Sequence, residues 1–218
     1  YDQNLGGEPV NWVPSNTVVA LGWLRTGESD VLEDGGLYAQ ARLLNEGGGW
    51  KPIENGVVPN SNPSAYWSTA VGQSGESVVI WTSASASGGP GSLLLQRYDS
   101  LGQVIGDTII IDDRGENGWP AATYLENGSI AVSYWRYVSG YRQTELRILN
   151  ASDEVVHASV ASSGTATGDY LGRDIFDLGN EQIFVVWSYS ENHPQLPHIR
   201  QEGQRFSYDG EKIGEPVV

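Results

Sequence analysis

The chain has 218 residues, of which 39% are hydrophobic and 10% aromatic, and this content predicts one sizeable folded domain or two small ones rather than a disordered chain. Its net charge of −15 repels phosphate backbones and anionic lipid, so we expect neither a nucleic-acid partner nor binding to a membrane surface. No apolar run approaches the roughly 20 residues that a membrane helix needs, so we expect no membrane insertion. The absence of cysteine excludes disulfide bonds, thiol catalysis and cysteine-based metal sites.

Two residue columns recur along the chain at spacings of about 50 residues. Four short apolar runs each end in a tryptophan, and the four tryptophans are Trp23, Trp81, Trp135 and Trp187. A second column follows after a variable gap and consists of Arg42, Arg97, Arg147 and Arg205. Helical periodicity is absent, and the runs are short, β-branched and bounded by Gly, Asn or Asp, which is typical of strands joined by tight turns.

The pattern therefore predicts four antiparallel strands in each repeat, termed a to d. The tryptophan ends strand b, and the arginine lies on strand c. The repeats divide at about 1–60, 61–114, 115–163 and 164–218. Such a pattern predicts an all-β fold and a single β-propeller domain of four blades with four strands each. A β-sandwich with coincidental spacing is the alternative. We expect the four blades to close one ring, although half of a larger ring fits the same pattern.

The second unit carries the sharpest motif, with Val78-Val79-Ile80-Trp81 followed by Leu94-Leu95-Gln96-Arg97-Tyr98-Asp99, Gly102 and Gly106. This resembles the tandem "VVxW…QRYDxxGxxxG" repeat of large secreted bacterial adhesins and RTX-like proteins. The third unit departs from it, since Leu146-Arg147-Ile148-Leu149-Asn150 lacks the Gln and the aromatic residue. The motif residues are scaffold positions, so the resemblance implies architecture and a secreted or cell-surface location more than an activity.

In a propeller, the loops from strand d to the next strand a and from strand b to strand c open on one face, where ligands usually bind. Trp67 follows Tyr66 at the start of a predicted strand a, and Trp119 lies in a polar, Gly-rich d-to-a loop. Such rings can stack on the apolar face of a sugar, or they can simply pack a seam between blades. We expect the four column tryptophans to be core. The predicted glycan contacts are Tyr66, Trp67, Arg114, Asn117, Trp119, Tyr170 and Arg173.

Arginines near the same face have two interpretations. The four arginines could bind a carboxylate or sulfate of an acidic polysaccharide, and they are Arg25, Arg114, Arg136 and Arg173. Alternatively, each pairs with a neighbouring acid such as Asp112 or Asp113.

Acidic loops offer a candidate Ca²⁺ site at Asp112, Asp113 and Glu116, because hard cations bind clustered carboxylate oxygens on flexible loops. The stretch matches neither the EF-hand pattern nor the Gly-Gly-x-Gly-x-Asp nonapeptide, so a solvated acidic loop is the alternative.

The sequence contains no HExxH and no Gly-x-Ser-x-Gly beside a triad, and we predict no catalytic residue. The first hypothesis is an exported lectin-like or adhesin module that binds glycan or polysaccharide through loops on the axial face. The second is a glycoside hydrolase or polysaccharide lyase on a small propeller. The third is a structural domain that contacts proteins through the blade rim, and a homo-oligomer is left open.

Overall fold

The computed structural model describes residues 18–24, 37–44, 50–60, 66–84, 90–100, 103–115, 117–139, 141–162, 170–191 and 198–218. These residues form fifteen β-strands in four antiparallel sheets, as predicted for an all-β chain. The first sheet is described by its backbone alone. The described part holds no helix long and apolar enough to cross a membrane.

The first two sheets follow one another along the chain. The first has the order β1 (Val18–Leu24), β2 (Leu37–Leu44), β3 (Trp50–Asn60). The second has the order β4 (Trp67–Val71), β5 (Ser77–Ala84), β6 (Pro90–Tyr98), β7 (Val104–Asp112). Each strand pairs with its sequence neighbour, so both sheets are meanders.

The third and fourth sheets repeat this meander. The third consists of β8 (Asn117–Tyr124), β9 (Ile130–Val138), β10 (Tyr141–Leu149) and β11 (Val155–Val160). The fourth consists of β12 (Tyr170–Gly179), β13 (Gln182–Glu191), β14 (His198–Ser207) and β15 (Lys212–Val217). Strand β8 packs against both β4 and β12, so the first strand of the third sheet contacts the first strands of the second and fourth sheets.

The tryptophan and arginine columns have the same register in every sheet. In each, the residue three positions before the tryptophan is the backbone partner of the arginine. The pairs are Ala20 with Arg42, Val78 with Arg97, Val132 with Arg147, and Phe184 with Arg205. The two columns therefore occupy equivalent positions on the second and third strands of a repeated supersecondary unit.

The second, third and fourth sheets are held together by apolar seams between neighbours. Between the second and third sheets, Val78, Ile80 and Leu95 share a buried cluster with Val132 and Tyr134. Burial of such side chains stabilises the stack by about 25 cal/mol per Å² of apolar surface removed from water. A single sheet of this kind cannot bury both faces alone, so neighbouring sheets stabilise one another.

The seam between the third and fourth sheets is built similarly, from Ala131 and Ile148 against Ile183, Val185 and Trp187. The predicted core role of the column tryptophans is confirmed for three of them, because Trp81, Trp135 and Trp187 are at most 7% exposed. The side chain of Trp23 lies outside the described residues.

A repeated side-chain contact explains the Gln of the sequence motif. Gln96 Nε2 donates to the carbonyls of Ile105 and Gly106 at 3.1 and 3.4 Å. Gln204 Nε2 donates in the same way to Ile213 and Gly214, at 3.1 and 3.2 Å. Both glycines have positive φ, at 64° and 70°, in the left-handed region that glycine adopts without strain. The Gln therefore fixes the bend of the fourth strand, and the glycine permits it.

Residues at equivalent repeat positions lie on the opposite face in the third sheet, compared with the second and fourth sheets. Trp81 lies on the face turned away from the third sheet, because the opposite face of β5 forms that seam. Trp187 belongs to the seam with the third sheet and so also faces backward along the chain. Trp135, in contrast, shares its face with Ala131, which packs against the fourth sheet. The third unit, which lacks the Gln motif, is thus the unit in which equivalent side chains lie on the opposite face of the sheet.

This inversion redirects one column arginine. Arg97 reaches forward to the third sheet, where it pairs with Asp153 and donates to the Asn150 carbonyl at 3.3 Å. Arg147 occupies the equivalent register position but lies on the face toward the second sheet, beside Asp112. Two column arginines therefore meet the same seam from opposite sides, and the second brings charge into its interior.

Candidate functional site

One end of the second and third sheets gathers the chain segments that a propeller uses for ligand binding. Strand β7 ends at Asp112 and β8 begins at Asn117, so the d-to-a connection lies here. Strand β9 ends at Val138 and β10 begins at Tyr141, so the b-to-c connection of the third sheet lies at the same end. Asp112, Arg114 and Asn117 belong to the first of these connections, and Trp119, Trp135, Arg136 and Arg142 lie on the strands beside the two connections.

Asp112 is the first centre of a charged cluster in this seam. Its side chain is 2% exposed and forms an ion pair with Arg114, whose Nε donates to Oδ1 at 2.9 Å. The Tyr134 hydroxyl donates to Asp112 Oδ2 at 2.5 Å, and Arg147 Nη2 lies 3.5 Å from the same oxygen. A buried carboxylate needs such partners, because an unpaired charge in this position would be strongly destabilising.

Glu145 is the second centre, and its side chain is 3% exposed. Its Oε1 accepts from Arg136 Nε at 2.6 Å and from Gln143 Nε2 at 2.9 Å. Its Oε2 accepts from Arg114 Nη2 at 2.6 Å and from Arg147 Nη2 at 2.5 Å. Arg114 therefore bridges the two carboxylates and ties the d-to-a loop to β10.

Both carboxyl groups are held in their ionised form. Burial alone would raise the pKa of Asp112, but hydrogen bonds from Arg114 and Tyr134 outweigh it and lower the pKa to about 2. Burial likewise opposes ionisation of Glu145, whereas hydrogen bonds led by that from Arg136 lower its pKa to about 2. Burial raises the pKa of Tyr134, so this phenol stays protonated as a donor.

An aromatic group lies at the same end of β8 and β9. The rings of Tyr66 and Trp119 meet edge to face with centroids 5.3 Å apart, and Tyr66 also lies 6.4 Å from Trp135. The guanidinium of Arg142 lies 4.8 Å from the centre of the Trp135 ring. Gly118 permits this packing, because a Cβ atom at that position would collide with the Trp135 ring.

Trp119 has an unusual backbone conformation. Its φ is +47°, in the left-handed region that bulky residues rarely adopt, and it lies where the β8–β9 register shifts between Gly118 and Ala121. The side chain is only partly buried. Holding a tryptophan in this conformation costs about 1–3 kcal/mol, and such strain concentrates at functional sites.

The structure brings together some of the predicted glycan contacts. Tyr66 and Trp119 touch one another, and Trp67 follows directly as a partly buried residue whose backbone pairs with Trp81. Tyr170 pairs through its backbone with Tyr189, and the side chain of Tyr170 lies outside the described residues.

Two further predicted contacts have different outcomes. Asn117 is fully buried, and its amide donates at 3.2 Å to the carbonyls of Gly91 and Asp112, so it bridges the two sheets and does not reach a ligand. Arg173 pairs through its backbone with Trp187, and its side chain is likewise outside the described residues.

For Arg114 the sequence left two alternatives, and the structure shows the ion pair with Asp112 together with one to Glu145. The predicted Ca²⁺ site is not assembled by the described residues, among which no three His, Asp or Glu side chains are placed to hold a metal ion. Asp112 faces its arginine partner, and Asp113 is exposed. Glu116 lies outside the described residues, so this metal site stays a prediction.

Sequence reasoning missed Glu145 and Tyr134 as members of the site. The sequence feature that could have indicated this site is Glu145 itself, which lies two positions before the column arginine Arg147. The equivalent residue of the second unit is Leu95, which is buried in the apolar seam. An acid at a position that is core in a sister repeat, next to a buried arginine, predicts a buried ion pair.

Searches against protein-family models and against curated proteins find no match to this chain. Solved structures do resemble it. An endo-arabinase from Bacteroides thetaiotaomicron is 14% identical with a TM-score of 0.53, covering 92% of this chain and 77% of its own. An α-L-arabinofuranosidase from Fusarium graminearum is 12% identical with a TM-score of 0.59, covering 99% and 67%.

The β-propeller domain of the Trilobed protease from Pyrococcus furiosus is 11% identical with a TM-score of 0.54. That match covers 100% of this chain and 59% of the other. At such identities the likeness concerns the fold, and together with the successive antiparallel meanders it shows that this chain has a β-propeller fold.

Proposed function

We propose that this end of the sheets recognises a glycan. Trp119 is the observation that carries the proposal. A partly exposed indole is held at a strained φ beside Tyr66, on the first strand of a sheet. An indole with one accessible face provides the platform on which the apolar face of a sugar stacks, and neighbouring polar groups can bond its hydroxyls.

The charged cluster supplies a rigid support for this platform. Arg136 is the backbone partner of Asn117, while Trp135 is the partner of Gly118, so the two groups share the ends of β8 and β9. Because Arg136 is fixed to Glu145 by a 2.6 Å hydrogen bond, the strand end is tied to β10. Preorganised contacts of this kind reduce the entropy lost when a ligand binds.

A glycoside hydrolase is the second candidate, and the comparisons support it better than binding alone. Two of the similar solved structures are an endo-arabinase and an α-L-arabinofuranosidase by name. Glycoside hydrolysis requires two carboxyl groups, one of which keeps its proton as the general acid through a raised pKa.

Asp112 and Glu145 do not fit the role of general acid. The pKa of each is lowered to about 2, so both are ionised at neutral pH. Either could serve only as a charge partner or nucleophile. A hydrolase built on this fold would therefore use another carboxyl group of the chain as its acid, and its activity would depend on that group.

One experiment separates these candidates from a purely structural domain. The folded chain is presented with neutral and acidic polysaccharides, including arabinan, in Ca²⁺ and again in EDTA. Binding and release of reducing sugar are both measured. Release supports the hydrolase, and binding without release supports a lectin-like or adhesin module. Loss of binding in EDTA would support the predicted Ca²⁺ site. If the folded chain neither binds nor cleaves any glycan, the proposal fails and a structural protein-contact domain is favoured.

We also propose that the four units close a single ring of four blades and that the protein acts outside the cell or at the cell surface. The equal register of the two columns in all four sheets supports the ring. A compact monomer of this length has a radius of gyration of about 17 Å. Small-angle scattering with light scattering tests this, since an open arc or a homo-oligomer would give a clearly larger value.

A further inference from the structure

The charged cluster in the seam contains more positive than negative charge. Its cations are Arg114, Arg136 and Arg147, and its anions are Asp112 and Glu145. Within this hydrogen-bonded cluster there are three cations and two anions, and the exposed Asp113 beside Arg114 lies outside it. Because the chain is strongly acidic and most of its surface repels anions, a cluster in which arginines outnumber carboxylates is a specific feature of this end of the sheets.

Two of these arginines have N–H donors that no described residue accepts from. Arg114 Nη1 and both terminal nitrogens of Arg136 make no hydrogen bond to any other described residue. The side chain of Arg114 is 43% exposed and that of Arg136 is 17% exposed, so a ligand can approach the first directly. Arg147, at 7% exposure, belongs to the interior support.

We propose that Arg114 and Arg136 bind the carboxylate of an acidic sugar residue, which makes the glycan recognised at this site a uronate-containing one. This inference rests on the proposed function and specifies its ligand class. A guanidinium presents paired N–H donors whose geometry matches a carboxylate. The incoming carboxylate neutralises the excess charge, while Trp119, next to Tyr66 at the same end, is available to the sugar ring.

The buried acids serve to position these donors. Glu145 holds Arg136 through Nε and Arg114 through Nη2, which leaves both terminal nitrogens of Arg136 and Nη1 of Arg114 without a described acceptor. Asp112 holds Arg114 from the other side through Nε. Fixing the arginines in advance reduces the side-chain entropy lost on binding, which both strengthens and orients the contact.

The test compares oligosaccharides containing galacturonate or glucuronate with their own methyl esters, which keep the sugar and remove the charge. Affinities are measured by calorimetry for the wild type, Arg114→Gln, Arg136→Gln and the matched charge control Lys212→Gln, which changes an exposed residue on β15. We expect the acid to bind about tenfold or more tightly than its ester in the wild type and in Lys212→Gln. In both arginine variants that preference should fall to within about threefold.

Equal affinity for acid and ester in the wild type would overturn the inference and leave glycan recognition standing. So would a preference that survives both arginine substitutions, or a preference for sulfated over carboxylated sugars. Failure of every glycan, charged or neutral, would instead remove the proposed function.

If an arginine variant does not fold, the salt dependence of binding by the wild-type protein tests the inference instead. Raising the salt from about 20 mM to about 500 mM must weaken acid binding at least about tenfold and leave ester binding unchanged. Equal salt dependence for the two ligands would overturn the inference.

Discussion

The hydroxyl of Tyr134 lies 2.5 Å from Asp112 Oδ2, joining the second strand of the third sheet to the last strand of the second. Both residues are buried, and the contact belongs to a network of three arginines and two carboxylates in this seam. Buried ion pairs contribute little net stability compared with apolar packing, but they become costly when one partner is removed. The network therefore specifies the geometry of the seam more than it strengthens the fold.

Replacing Tyr134 by Phe should destabilise the protein, because Asp112 loses a donor in a site that water does not reach. We expect a loss of about 2 kcal/mol, which corresponds to about 5 °C in Tm for a chain of this length. Thermal unfolding followed by circular dichroism measures it. The control is Tyr137→Phe, which removes a hydroxyl from a ring that is 43% exposed and should leave Tm unchanged. Equal Tm values for the two variants would show that the buried hydrogen bond has no stabilising role.

Acid should weaken the fold as the cluster is protonated. The folded-state pKa values of Asp112 and Glu145 are lowered to about 2 from ordinary values near 4. Each group thus contributes stability that is fully present above about pH 5 and is lost as the pH falls through about 2. The contribution is about 2 kcal/mol for Asp112 and about 3 kcal/mol for Glu145.

The measurement is urea unfolding at a series of pH values between neutral and acid. The wild type should lose more stability across this window than the double variant Asp112→Asn, Glu145→Gln, which starts lower at neutral pH. Parallel stability curves for the two proteins would show that these carboxyl groups do not have the lowered pKa values.

The Gln of the repeat motif should be a stability determinant in the fourth sheet as well as the second. Gln204→Leu removes hydrogen bonds to the carbonyls of Ile213 and Gly214 and should cost about 1–3 kcal/mol. Gln96→Leu should behave alike, since its amide makes the same contacts to Ile105 and Gly106. Chemical denaturation measures both. The exposed Gln103→Leu serves as the control, and an equally small effect at all three positions would refute the structural role of the motif.

The repeat architecture could be predicted from sequence because it depends on periodic, local features. The tryptophan and arginine columns can be recognised directly in the sequence. The backbone pairing of Val78 with Arg97 recurs as that of Phe184 with Arg205. The all-β class and the antiparallel meanders are confirmed by the sheets. Each Gly or Asn turn sets its own hairpin, so no long-range information was needed.

The charged cluster could not be predicted in the same way, because it depends on which face of the third sheet meets the second. Arg147 stands in the arginine column, yet the inversion of its sheet directs it to Asp112, 35 residues earlier in the chain. The third unit's lack of the Gln motif indicated that this unit differs from the others, but it did not show which face of its sheet would contact the second sheet. The positive φ of Trp119 is likewise a property of the β8 bulge that no residue letter reveals.

Glycan recognition by Trp119 is tested most directly by the affinity of the variant Trp119→Asn for a glycan that the wild type binds. Asn tolerates φ near +47°, so this variant removes the indole and relieves the strain, and its stability should be equal to or higher than that of the wild type. The matched control is Phe176→Thr, which removes a ring that is 48% exposed on β12 in the fourth sheet. We predict that affinity falls at least about tenfold in Trp119→Asn and is unchanged in Phe176→Thr. A folded Trp119→Asn protein that binds the glycan as tightly as the wild type would show that Trp119 does not recognise it.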